Sequence, residues 1–225
     1  MLGACPVEPG GRTSGPRAQR LSGVNMTSSM VQRRDGAGRS IAVIGTGRVG
    51  RAVGSALAAA GYPVVYGSRR PGGDSIGVAE AVEGGDVVVV ATPPDAAADL
   101  AREHGEALAG KLILDATNNV MGSPANASES FAEHAPKCRY VRAFNTLGTE
   151  VLTDPIFDGE PADMYFSCAQ ADRPAVDELI TAVGLRPVYV GEQSYDLVDG
   201  VMRLWLTLAM REGHGRNMAF RMVTR

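Results

Sequence analysis

Ile41-Ala42-Val43-Ile44-Gly45-Thr46-Gly47-Arg48-Val49-Gly50 joins a short apolar strand to a helix through three glycines at the G-x-G-x-x-G spacing. The pattern predicts a dinucleotide-binding turn. Gly45 permits the tight bend, Gly47 lets the backbone approach a pyrophosphate with no Cβ in the way, and Gly50 lets the new helix pack closely on its strand. Unpaired N–H groups at the helix start then face the phosphates. The context supports this reading: Val49, Val53, Leu57 and Ala60 recur at helical spacing, Gly61 stands where the helix would stop, and the strand Val64-Val65-Tyr66 follows at once.

The choice of dinucleotide falls at the end of that second strand, where an Asp or Glu binds the ribose hydroxyls of NAD. Here the chain reads Gly67-Ser68-Arg69-Arg70. No carboxylate repels a 2′-phosphate, and guanidinium groups bind one with paired charge-assisted hydrogen bonds. NADP(H) is therefore expected over NAD(H). The plainer alternative makes Arg69 and Arg70 solvated turn residues before Pro71.

A chain of 225 residues with net charge −3 is large enough to bury a proper core and has no overall electrostatic pull toward nucleic acid. Cys5, Cys138 and Cys168 are too scattered for a disulfide framework or a four-ligand zinc site, which points to a reducing cytoplasm. His104, His134 and His214 show no metal-type pairing, so no metal is expected. There is no apolar run of the ~18 residues needed for a membrane span. The first 39 residues, rich in Gly, Pro, Ser and Arg with six Arg against two acids, read as a disordered basic tail, and Met26 or Met30 could serve as the start.

Beyond the second strand the order of elements continues. Asp86 to Ala91 reads as a strand buried on both faces, Thr92-Pro93-Pro94-Asp95 turns into a helix through about Leu108, and Leu112 to Asp115 is the next strand. A weaker helix near Ser128 to His134 precedes a strand over Arg139 to Ala143. Alternation of this kind means α/β architecture with a doubly wound, mostly parallel sheet, placed here in a dinucleotide-binding domain over 40–160. A small C-terminal α/β subdomain is expected over 161–225: a strand at Ala162–Cys168, a helix at Arg173–Val183, a strand at Arg186–Val190 and a long helix at Tyr195–Met210. On that helix Leu197, Val201, Leu204, Trp205 and Leu208 share one face, with Asp196, Asp199, Arg203 and Arg211 elsewhere. Met202, Leu206 and Met210 widen the apolar surface, which suggests a partner subunit, as in a homodimer, or a bound ligand.

Taken together, Ile44 to Gly50, Gly67-Ser68-Arg69-Arg70, Ala143-Phe144-Asn145-Thr146-Leu147-Gly148 and Gly184-Leu185-Arg186-Pro187 resemble the NADPH-dependent F420 reductase family. The resemblance runs from about Ser40 to the C-terminus, and the Ala-Phe-Asn-Thr-Leu-Gly block is its more specific mark. It implies a Rossmann domain with a deazaflavin lying across the nicotinamide. By this resemblance Thr46, Gly47, Arg48 and Val49 would hold the pyrophosphate, and Ser68 with Arg69 the 2′-phosphate. Thr92 and Pro93 would border the nicotinamide, and Asn145, Thr146 and Leu147 the deazaflavin. All lie at the carboxyl ends of predicted strands, where open α/β sheets bind ligands. Only Pro71 to Gly85 fills a gap in which the family carries a fuller helix and strand, so an edge element is expected to be missing beside the adenine. The chemistry implied is hydride transfer between NADP(H) and a small-molecule redox acceptor of the coenzyme F420 type. Alternatives are a flavin, quinone or ferric acceptor, or a nonenzymatic NADP(H) sensor.

Overall fold

The computed structural model describes residues 38–120 and 122–225. The tail expected over 1–39 therefore lies almost wholly outside the described residues. Chain order runs β1 (Ile41–Ile44), α1 (Arg48–Ala59), β2 (Val64–Ser68), β3 (Ser75–Gly77), α2 (Val78–Gly84), β4 (Val87–Val90), α3 (Pro94–His104) and β5 (Leu112–Asp115). It continues with α4 (Ser128–His134), β6 (Arg139–Arg142), α5 (Thr149–Thr153), the hairpin β7 (Ile156–Phe157) and β8 (Glu160–Pro161), then β9 (Asp163–Cys168), α6 (Arg173–Ala182), β10 (Arg186–Tyr189) and α7 (Tyr195–Leu206).

Eight strands form one sheet in the order β10-β9-β6-β5-β4-β1-β2-β3. Neighbouring strands are parallel except β6 and β9, so the last two strands run against the first six. The segment read as a C-terminal subdomain, 161–225, thus adds β9 and β10 to the same sheet.

Side-chain alternation explains why both faces are covered. Val87 and Val89 join Ile41, Val43, Val53 and Leu57 in one apolar cluster. Val88 and Val90 join Ala42, Ile44, Ala97 and Leu100 in another. All four valines of β4 are fully buried, as a central parallel strand between two helical layers requires. Leaving β1, the chain steps outward through β2 and β3, then returns to β4 on the other side. The crevice beyond the carboxyl ends of β1 and β4 is therefore the point where the winding reverses, the usual ligand position in such sheets.

Two sequence expectations change. The stretch between the arginine turn and β4 lacks neither element, since it contains a three-residue edge strand, β3, and a seven-residue helix, α2. Both are simply short. Helix α7 is rotated relative to its expected face. Leu197 and Leu204 are 57% and 52% exposed, whereas Val198, Asp199, Met202 and Trp205 are buried. The α-helix also ends at Leu206, and a π-helical turn over Thr207–Arg211 replaces its last turn.

The final segment is strapped to the body by polar contacts. Trp205 Nε1 donates to the Met218 carbonyl at 2.7 Å, and the Met222 amide donates to Asp163 at 2.6 Å. Glu150, in the first turn of α5, receives Arg48 from α1 at 2.8 Å and Arg216 from the strap at 3.1 Å. Hydrogen bonds from Arg216, from the backbone and from Arg48 lower its carboxyl to about 2 from an ordinary 4.5.

A folded-state pKa below the unfolded one gives stability that is present above about 4.5 and disappears as pH falls through about 2. Glu150→Gln should accordingly lower Tm at neutral pH, and its gap to wild type should close on acidification toward pH 2, as read by thermal unfolding across that range. At the glycine turn, a Cβ on Gly50 would stand 2.0 Å from the Gly45 carbonyl oxygen. Gly50→Ala should destabilise the protein by roughly 1–3 kcal/mol in denaturant unfolding, despite alanine's better helix propensity.

Candidate functional site

The turn after β1 is held by backbone crowding on two sides. Gly45 has φ +111°, and a Cβ there would meet the Ala91 carbonyl oxygen at 2.3 Å, so the loop after β1 lies directly on the end of β4. Gly50 presses α1 against the same turn. Gly47 differs, because a Cβ on it would meet no protein atom within 4 Å. Packing does not demand glycine at that position; close approach of a ligand does.

Gly47 is also the N-cap of α1, with no side-chain cap and no acidic residue in the first turn. The partial positive charge of that helix end is left for an anion. A cleft of about 990 Å³ opens in front of it, lined by Gly45, Thr46 and Gly47, by Ser68, Arg69 and Arg70, and by Thr92 and Pro93. Eight of the eleven residues read from sequence as nucleotide contacts thus meet in one cavity.

Within it, Ser68 Oγ braces the β2 turn by accepting from the Arg70 amide at 3.1 Å. Arg69 and Arg70 are exposed, and neither has an ion-pair partner among the described residues. Arg51, by contrast, is spent: it binds Asp74 at 2.5 and 2.7 Å and lies 4.0 Å over the Tyr66 ring. The unpaired cations at the mouth are therefore those in the position where an acid would mark NAD.

Thr92, in the floor, has a buried Oγ1 with no hydrogen-bond partner among the described residues, a group that a ligand amide or water would satisfy. These features fit a phosphorylated dinucleotide: an open Cβ position, an uncapped helix start, two free guanidiniums and an orphaned hydroxyl. The remaining predicted contacts stand elsewhere. Gly50 is packed beneath the turn, Val49 is half-buried, and the Arg48 side chain is turned to Glu150 rather than into the cleft.

Sequence reasoning missed the far wall. Val78 and Ala79 of α2 and Ala96, Leu100 and His104 of α3 extend the cleft beyond the arginine turn. For α2 the signal was confined to the short segment after Pro71, whose elements are too brief for periodicity to register, while α3 was read as a helix with nothing to mark the face that lines the cleft.

The Ala143–Gly148 block lies past β6, beside this crevice in strand order but not in the lining of the cleft. Phe144 is buried with φ +63°, an unusual conformation for a bulky residue, and its amide lies 3.2 Å from Met164 Sδ. The turn it makes sends Asn145 and Thr146 inward, 2% and 0% exposed, while Leu147 is 8% exposed. The Asn145 carbonyl accepts from Asn118 Nδ2 at 3.2 Å, and Thr146 Oγ1 lies 3.5 Å from Met164 Sδ. These side chains form a buried wall behind the turn, outside the lining of the cleft.

Behind that wall is a polar cluster the sequence did not disclose. Arg142 and Asp115 are fully buried and Asp199 nearly so. Arg142 Nε donates to Asp199 Oδ1 at 2.8 Å, while Asp115 accepts from the Thr117 and Ala127 amides at 2.8 and 3.0 Å and from the Tyr140 hydroxyl. Burial, then the Asp115 charge, raises the Tyr140 phenol well above its ordinary value, so it remains a donor. Elsewhere burial pushes the thiols of Cys138 and Cys168 up to about 11 and about 12, which leaves neither as a nucleophile at neutral pH. Among the described residues no group of three or more His, Cys, Asp or Glu is placed to hold a metal, and no helix is long and apolar enough to cross a membrane.

Comparison with known proteins bears on the fold and on the cofactor class. Residues 40–119 match the family described as NADP oxidoreductase coenzyme F420-dependent. Metalloreductase STEAP3 of Rattus norvegicus is 27% identical over 171 residues, covering 67% of this chain and 33% of that protein, so the chain spans about a third of the length of this curated relative. A crystal structure from Arthrobacter sp. FB24, carrying a provisional assignment as an F420-dependent NADP-reductase, aligns at TM-score 0.70 with 23% identity over 83% of this chain and 100% of that one. Pyrroline carboxylate reductase of Plasmodium falciparum, solved with NADP bound, aligns at TM-score 0.53 with 16% identity over 77% of this chain and 67% of that one. At these identities the two structures establish the Rossmann-type fold. Residues 40–119, which carry the glycine turn, the arginine turn and the end of β4, are the part of the chain that matches the NADP oxidoreductase family described as coenzyme F420-dependent.

Proposed function

We propose that this protein transfers a hydride between NADP(H) and a deazaflavin of the coenzyme F420 type, with NADP(H) in the cleft between Gly47 and Arg69 and the acceptor beside Thr92 and the Asn145–Leu147 turn. The observation that carries the cofactor half is the pair of unpaired guanidiniums, Arg69 and Arg70, lining the same cavity as the open Gly47 position. For the acceptor half, support comes from the matched family's description and from the sequence block Ala143–Gly148 at the neighbouring strand end.

When bound, NADPH supplies the hydride, and a ring acceptor takes it up without covalent attachment to protein. The chain's own part is placement. The amides at the start of α1 take the pyrophosphate, Arg69 and Arg70 take the 2′-phosphate, and Thr92 offers its unpaired hydroxyl to the ring end. The raised thiols fit this division, since no protein nucleophile is called for.

The direct test mixes the protein and NADPH with coenzyme F420, FMN, menadione and a ferric chelate in turn, following acceptor absorbance. Reduction of the deazaflavin in preference to the others is expected. Turnover only with FMN, the quinone or iron would overturn the acceptor, and NADPH binding without any turnover would leave a nucleotide sensor. Arg69→Ala should weaken NADPH binding by ~1.5–3 kcal/mol in calorimetry while sparing NADH. Equal loss for both dinucleotides would remove Arg69 from the 2′-phosphate. Gly47→Ala should leave stability within about 0.5 kcal/mol of wild type, because its Cβ meets no protein atom, yet lower NADPH affinity at least ~10-fold.

A further inference from the structure

The guanidinium of Arg142 sits at the carboxyl end of β6, fully buried, with every N–H directed at an acceptor. Nε donates to Asp199 Oδ1 at 2.8 Å, and Nη1 donates to the Asp115 and Thr117 carbonyls at 3.0 and 2.5 Å. Nη2 donates to Asn118 Oδ1 at 3.0 Å and stands 2.7 Å from Asp199 Oδ1. The Asn145 amide, turned so that its oxygen faces the guanidinium, accepts from Nη2 at 2.9 Å.

Three separate pieces of chain converge on this one planar group: the end of β5, the turn after β6, and α7. Only the rigid fork of arginine reaches them all, because lysine has three donors around a point charge. Placement relative to the cleft gives the cluster its meaning. The β4–β5 register ends by pairing Val90 with Asp115, so Thr92 and Thr117 each stand two residues past the last ladder pair of their strand. Thr92 lines the cleft, and Asn118, the residue after Thr117, is half-buried and linked both to Arg142 and to the Asn145 carbonyl. A buried ion pair is a costly way to obtain stability alone, since apolar packing of the same volume does as well or better. Its use at the ligand end of the sheet points to precision of placement.

We infer that Arg142 is a positioning residue: acting through Asn118 and the Asn145 turn, it fixes the acceptor side of the crevice relative to Thr92 without touching either ligand. The inference rests on the reading of this crevice as a hydride-transfer site.

The test compares wild type, Asn118→Ala and Arg142→Lys. Affinity for 2′,5′-ADP, which probes only the phosphorylated adenosine half, is measured by calorimetry. KM and kcat are measured with NADPH and whichever acceptor of the panel wild type reduces. Asn118→Ala removes the relay without leaving the buried charges unpaired, so it keeps the test valid if Arg142→Lys fails to fold. For Asn118→Ala we expect acceptor KM to rise ~10-fold and 2′,5′-ADP affinity to stay within about twofold of wild type. Arg142→Lys, where folded, should show the same split more strongly. Unchanged acceptor KM in folded Asn118→Ala would overturn the inference, as would parallel loss of acceptor and 2′,5′-ADP binding, the signature of a merely structural role. Wild type that binds 2′,5′-ADP but reduces no acceptor would defeat the hydride-transfer reading, and this inference with it.

Discussion

The cleft exists because two Cβ atoms are missing. With φ at +111° and the Ala91 carbonyl 2.3 Å from where a side chain would begin, Gly45 lets the β1 turn rest on the end of β4. Gly50 then lets α1 start directly against that turn. These contacts bring the helix start, the arginine turn after β2 and the end of β4 around one space. Pushing the turn outward by the depth of a methyl would separate the uncapped amides of α1 from Thr92. The cleft is thus a consequence of backbone-to-backbone packing at the point where the sheet reverses, and its polar side chains are arranged around that fact.

A second constraint acts on the other side of the crevice and has a different energetic character. Moving a guanidinium and two carboxylates out of water costs several kcal/mol per ion, offset only when charge and hydrogen bonds are nearly all matched. The Arg142 cluster meets that condition through backbone carbonyls, two asparagines and Asp199, with Asp115 satisfied in turn by two amides and Tyr140. Loss of either charged member of the pair, Arg142 or Asp199, would strand a buried charge, at a cost of ~3–5 kcal/mol. Such an arrangement tolerates few alternative geometries. Apolar contacts would allow α7 to slide or roll against β9, whereas the Asp199 carboxylate admits one register.

That same ion pair explains where sequence reading fails. The central strands are legible because four consecutive β-branched valines between turn residues read as a strand buried on both faces, and the glycine spacing discloses the turn. Helix α4 was found at its observed bounds, Ser128–His134. The face of α7 was not found, because a periodicity rule counts Asp199 as outward-facing, and the partner that draws it inward lies 57 residues away. Leu197 and Leu204 share an apolar face with Trp205 by period, yet both are exposed. The elements β3 and α2 escaped for a simpler reason: three and seven residues are too few to display a period. In the site, the glycines and the arginine turn came from motif logic, and the structure assembled them with Thr92 and Pro93 in one cavity. The Asn145 turn was visible as a sequence block, but the inward direction of its side chains depends on the backbone of Phe144, which no residue pattern announces.

The position of Arg48 leaves the α1 end of the cleft without that guanidinium. Sequence placed this residue on the pyrophosphate, yet its guanidinium pairs with Glu150, which Arg216 also binds. Glu150 carries one negative charge between two cations, so the cluster as a whole is still weakly positive while its groups satisfy one another. The start of α1 keeps its free amides, with Gly47 offering no side-chain oxygen to them and no carboxylate in the first turn to offset the helix dipole. Had an Asp or Ser capped this helix, as most helices prefer, the same amides would already be engaged. An uncapped glycine start is less stable as a helix end and more available as an anion site. With Arg48 held by α5 and the C-terminal strap, the groups left at the cleft are the backbone amides of the α1 start and the arginine turn, to which the proposed function assigns the pyrophosphate and the 2′-phosphate.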